Sequence, residues 1–196
     1  NQKTNTVNTL ADKSTNSITV TGTALGSWAD IVWDSSTTQN MAISGTTLTG
    51  SGATWSPSAR SVDEWSVGTM PNFETEVTSG TREQFVAYDK GDTQISSPFN
   101  SADYALGISG NTATVTENGV SVCTFASGCG VSITTGDKLS LSMDSDGVVT
   151  YLKNGVVYYT STTPATGDYH ISGYTAGASY GSLINNKIQE YATGQP

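Results

Sequence analysis

Glu74 and Glu76 stand two apart in the alternating run Phe73–Val77, so in a strand both carboxylates point to one face, about 7 Å apart. Such a pair could serve as nucleophile and general acid/base on a glycosidic bond. A solvated strand surface is the simpler reading, because acidic side chains are mostly exposed. His170 is the sole histidine; no Ser-His-Asp constellation is carried forward, and it is expected at a surface or edge. Asp144 and Asp146 open like a calcium loop, but Val148 begins a strand at once and the remaining EF-hand ligands are missing. That stretch reads as a turn. Asp89, Asp92 and Asp103 could offer hard oxygen ligands from a long loop, so calcium stays open there. Otherwise no metal site and no cofactor is expected.

Cys123 and Cys129 enclose Thr-Phe-Ala-Ser-Gly, a loop small enough for a disulfide to staple. Two inert thiols, or a redox or metal pair, are the alternatives, though zinc would want two further ligands. A bridge implies an oxidising compartment and therefore an extracellular or cell-surface location.

Sugar recognition needs rings that stack on apolar sugar faces and amides or carboxylates that bond hydroxyls. The stretch from Asp89 to Asn100 has Gly and Pro breakers and marks the longest central loop, carrying Asp89, Asp92, Gln94 and Asn100. Tyr174 and Tyr180 flank Gly177 in a small-residue stretch and are expected to be exposed. These six residues form the candidate ligand set. Tyr151 and Tyr158 are a second ring pair, expected opposite one another on a solvated sheet face or as a cross-strand structural pair. Trp28, Trp33, Trp55 and Trp65 are read as core first and as interface or stacking rings second.

The elements that must position these groups are announced by turns. Asn118-Gly119, Asp146-Gly147 and Asn154-Gly155 tolerate the positive φ of two-residue type I′ turns. With such turns, Leu152 falls opposite Val157 and Leu141 opposite Leu152, one buried row across three strands. Val115 falls opposite Val122, and a Gly110-Asn111 turn sets Leu106 opposite Val115. A slip of one residue would move every side chain to the other face. Cys123 then shares a face with Ser121 and lies on the outer side.

Length and composition agree. The 196 residues, rich in Ser, Thr and Gly with 13% charged, suit one all-β domain over 17–191, after a polar lead or linker at 1–16 and before a tail at 192–196. A formal charge of -9 disfavours nucleic acid and anionic lipid. No apolar run approaches the roughly 20 residues of a membrane span, so no membrane insertion is expected. The chain opens on Asn1 and is expected to be a portion of something larger.

Short antiparallel strands of this kind pack as two facing sheets. The order of Ile43-Ser44-Gly45-Thr46-Thr47-Leu48, Ser58-Ala59-Arg60-Ser61, Phe73-Glu74-Thr75-Glu76-Val77, Asp103-Tyr104-Ala105-Leu106 and Glu117-Asn118-Gly119-Val120, and above all the run Gly147 to Tyr158, resembles the concanavalin A-like lectin and glucanase sandwiches. The likeness spans roughly Trp33 to Glu190 and is greatest to laminin-G and SPRY-like domains of bacterial surface proteins and phage-type fibres. It implies a jelly-roll-like sandwich that binds glycans or protein surfaces, and it implies no catalytic residue. The hydrolase motif of the resembling enzymes carries three acids at alternate positions, where this chain has Asn72 before Glu74 and Thr78 after Glu76. The reading is therefore a non-enzymatic lectin-like adhesin or fibre-tip module that takes a glycan or cell-surface polysaccharide. Its rival is an oligomerisation head, for instance a trimer assembled through a parent protein. A polysaccharide hydrolase using Glu74 and Glu76 is third.

Overall fold

The computed structural model describes residues 25–51, 58–78, 83–90, 102–175 and 182–191, and all structural statements concern these. Their strands are β1 (Ala29–Asp30), β2 (Met41–Ser44), β3 (Thr47–Gly50), β4 (Ser58–Arg60), β5 (Trp65–Ser66), β6 (Asn72–Glu76), β7 (Gln84–Asp89), β8 (Tyr104–Ser109), β9 (Thr112–Glu117), β10 (Val120–Cys123), β11 (Val131–Ser132), β12 (Lys138–Met143), β13 (Val149–Lys153), β14 (Val156–Thr160), β15 (Asp168–Thr175) and β16 (Ser182–Gln189). They form two antiparallel sheets, in the orders β14-β13-β12-β6-β16-β3-β2 and β10-β9-β8-β7-β15-β4; β1 pairs with β16, β11 with β9 and β5 with β15. The all-β antiparallel sandwich expected from the sequence is the fold. No described helix is long and apolar enough to cross a membrane.

The sheets meet over Phe73, Leu139, Leu141, Met143 and Tyr151 from the first and Val86, Tyr88, Leu106, Val115 and Ile171 from the second. Close approach is built in at Gly173 on β15, where a Cβ would collide with Leu48 of the facing sheet. Tyr88 reaches across, its hydroxyl 2.7 Å from the Leu141 carbonyl and 2.8 Å from that of Pro71.

Two Asn-Gly turns behave as their chemistry dictates. Asn118 and Gly119 (φ 48° and 73°) and Asn154 and Gly155 (φ 51° and 77°) are all left-handed, and Leu152 pairs with Val157 and Leu106 with Val115 as expected. The third turn differs. The Asp144 amide bonds the Val148 carbonyl, and only Gly147 of the Asp146-Gly147 pair has positive φ (80°), so the loop holds three residues and not two. The Asp144 carboxylate stabilises it by accepting from the amides of Asp146 (3.0 Å) and Val148 (2.8 Å).

One extra loop residue shifts the register by one. Leu141 pairs with Tyr151, not Leu152, and a bulge beside Leu152 then sets Tyr151 against Tyr159, not Tyr158. The buried row is therefore Leu141 and Tyr151 with Tyr159 packed alongside, while Leu152 is half-buried and Val157 is 50% exposed. The proposed row of Leu141, Leu152 and Val157 is corrected accordingly, and with it the solvated Tyr151–Tyr158 platform. A second bulge, in β10, puts Cys123 and not Val122 opposite Val115. Cys123 thus turns into the core, against the expectation of an outer-face position, and is bonded to half-buried Cys129 with a Cα–Cα separation of 5.5 Å.

Candidate functional site

Of the six candidate ligand residues, Asp92, Gln94, Asn100 and Tyr180 lie outside the described residues. The other two, Asp89 and Tyr174, are far apart in sequence and meet. Asp89 ends β7 directly opposite His170 on β15, and Tyr174 projects from the same face of β15 four residues further on, opposite Phe85. Between them lie only Ala87 and Ser172, small enough for the Tyr174 ring to run back along the sheet. Its hydroxyl donates to Asp89 Oδ2 at 2.7 Å.

Neither residue is exposed. Tyr174 is 4% and Asp89 3% accessible, which corrects the expectation of a solvent-facing Tyr174. Both belong to the outer face of the second sheet, where Phe85, Ala87, Ala102, Ala105 and Tyr174 form an apolar cluster separate from the core. The burial of β7, β8 and β15 on both faces explains their residue choice: Ala and Gly occupy outward positions. Gly107 is one such position, since a Cβ there would lie 2.6 Å from the Phe85 ring. Burial, reinforced by the Asp89 charge, holds the Tyr174 hydroxyl well above the ordinary tyrosine range.

The rim of this end is polar. His170 is buried at 8%, not at a surface, with Nδ1 3.0 Å from the Asp63 carbonyl and Nε2 3.8 Å from Glu64. The Lys90 amide donates to Asp103 Oδ2 at 2.8 Å, and the Lys90 ammonium lies 5.1 Å above the Tyr169 ring. Among the described residues, no three His, Cys, Asp or Glu side chains are arranged to hold a metal.

The two glutamates first considered for catalysis are on the outer face of the first sheet. Glu74 pairs with Lys138 Nζ at 2.9 Å and Glu76 accepts from Asn185 at 2.8 Å. One acidic residue escaped notice. Glu117 shares the strand parity of buried Val115, the signal that would have found it, and lies 6% exposed between the sheets. Its carboxylate accepts from the hydroxyls of Tyr151 (3.1 Å) and Ser161 (3.0 Å). Burial raises the Glu117 pKa, and the two hydroxyls offset this only in part.

No family model and no curated protein sequence matches the chain. Solved structures do. The SPRY domain of human HERC1 is similar over 84% of this chain and 99% of its own at 14% identity, TM-score 0.54. The TRIM65 PSpry domain is similar over 84% and 90% at 10% identity, TM-score 0.55. The exoplasmic/lumenal domain of VIP36, in its Ca2+/Man2-bound form, is similar over 84% and 83% at 10% identity, TM-score 0.56. At such identities the likeness is one of fold: an antiparallel sandwich of the jelly-roll, concanavalin A-like kind, with SPRY domains among its neighbours.

Proposed function

We propose that this chain is a non-enzymatic, extracellular carbohydrate-recognition module of a surface or fibre-tip protein. The observation that carries the reading is the Asp89–Tyr174 bond. It anchors the end of β7, from which the chain continues in sequence into Asp92, Gln94 and Asn100, the hydroxyl-bonding groups proposed to contact sugar together with Tyr180. Asp89 and Tyr174 are positioning residues in this scheme, because their burial leaves them little surface to offer a ligand. A fixed anchor at the strand end that precedes this segment in sequence reduces the ordering cost of binding. Similarity of fold to a domain bound to Man2 supports the choice of ligand class. The engagement of Glu74 with Lys138 and of Glu76 with Asn185, on an outer sheet face, favours binding over hydrolysis.

The test is a glycan array probed with a multivalent display of the domain, since single shallow sites hold sugars in the range of about millimolar to micromolar. The expected result is retention on a defined glycan, lost in Asp92→Ala. A chelator arm decides calcium: the proposal needs no cofactor, and loss of retention on chelation would bring Asp89, Asp92 and Asp103 back as ligands. No retention anywhere would end the reading.

A second reading has its own observation. Leu25, Trp28 and Val32 are exposed around β1, and exposed Val62 is joined to Val32 by a 2.9 Å backbone bond. Such side chains suit an assembly surface. Sedimentation showing a trimer, in the absence of glycan binding, would favour that alternative.

A further inference from the structure

The two Asn-Gly turns share one backbone conformation and differ in what their side chains do. Asn154 is clamped at both ends of its carboxamide: Nδ2 donates to Asp137 Oδ1 at 2.7 Å and Oδ1 accepts from the Lys138 amide at 2.8 Å. Asp137 is itself held by Lys153 at 3.0 Å and by the Thr134 amide at 2.8 Å. Asn118 is exposed, and its side chain makes no hydrogen bond among the described residues. The Gly119 amide donates only a long bond, 3.3 Å, to the Ala102 carbonyl.

We infer that Asn118-Gly119 is a site of spontaneous covalent modification in the folded protein and that Asn154-Gly155 is protected from it. In the reaction the Gly119 backbone nitrogen attacks Asn118 Cγ. The new N–Cγ bond forms as the Cγ–Nδ2 bond breaks, the amide proton is lost to solvent base, and Nδ2 takes a proton from water and leaves as ammonia. Water then opens the cyclic imide at either carbonyl, yielding aspartate or isoaspartate at position 118. Glycine favours the step because it has no side chain to hinder the attacking nitrogen. A carboxamide must also turn freely toward that nitrogen, and the Asn154 carboxamide cannot do so without breaking two bonds, one of them to a charged carboxylate. The φ values of the two turns nearly match, 48° and 73° against 51° and 77°, and the two sites differ in the partners of their carboxamides.

The modification has a structural consequence. An isoaspartate adds a methylene to the backbone of a turn whose two-residue length sets Val120 opposite Glu117, the buried carboxylate between the sheets.

The experiment is to hold the intact folded protein in mildly alkaline buffer and follow both sites by peptide mass mapping, with enzymatic methylation to count isoaspartate. Asn118 is expected to convert at least about tenfold faster than Asn154, the factor expected for one bond to a charged group. In denaturant the two rates should converge, and Asp137→Ala should accelerate Asn154 while leaving Asn118 unchanged. Equal rates in the folded protein, faster conversion at Asn154, or no conversion at Asn118 would overturn the inference.

Discussion

The two sheets of this sandwich present opposite outer faces. On the first, Asn72, Glu74 and Glu76 alternate with buried Phe73, Thr75 and Val77, and the two glutamates pair across strands with Lys138 and Asn185. On the second, Phe85, Ala87, Ala105, Ser172 and Tyr174 are buried, and a carboxylate, Asp89, is buried with them. A half-solvated sheet keeps two-residue alternation, whereas a sheet covered on both sides abandons it for small and apolar residues. The first face carries the acids weighed for catalysis, Glu74 beside Lys138 and Glu76 beside Asn185. The second hides the polar pair that the proposed site depends on.

The sharpest way to break this contrast is Tyr174→Ala, which removes a buried ring and one donor to Asp89. A loss of about 3–5 kcal/mol is expected in denaturant unfolding, and a loss no larger than that of Glu74→Ala would mean that the faces do not differ. Tyr174→Phe isolates the hydrogen bond; leaving Asp89 short of one donor should cost about 1–3 kcal/mol with the ring kept. Glycan retention by this variant sharpens the positioning role, since a direct contact would be lost outright and a positioning one only weakened.

Between the faces, Glu117 sets a pH signature. Its pKa is raised in the folded state, so its contribution is present below the ordinary value of 4.5 and is lost as pH rises through the raised folded value. Glu117→Gln should flatten that part of the stability profile. Asp137 acts in the opposite sense: Asn154 first, then Thr134 and Lys153, hold its pKa below the ordinary 3.8, and the stability it lends is lost as pH falls. Comparing Asp137→Asn with Glu117→Gln across acidic pH should show slopes changed in opposite directions. The smallest effect belongs to the open face. Breaking the Lys138–Glu74 pair with Lys138→Gln should cost less than about 1 kcal/mol and vanish in high salt; a larger loss would show that this face is less solvated than its alternation implies.

Much of the molecule follows from local chemistry. Asn118-Gly119 and Asn154-Gly155 need left-handed residues and adopt the expected turn, because the constraint lies within two residues. The bridge between Cys123 and Cys129 is likewise a short-range matter. Asp89 and Tyr174 could be chosen as candidates from their types, and the structure joins them, but composition offers no measure of whether an outer sheet face is covered.

What the tertiary structure decided is parity. At Asp146-Gly147 the side chain of Asp144 captures two amides and lengthens the loop by a residue, so Tyr151 and not Leu152 faces the core. The bulges at Val122 and beside Tyr151 do the same for Cys123 and Tyr159. A bulge disturbs the ladder locally, while the side chain that it turns inward is buried against the opposite sheet, a partner distant in sequence. Alternation within one strand carries no information about that partner, and so the strands flanking the Asx-Gly turns were legible from the sequence while the inward face of several of them was settled only by packing.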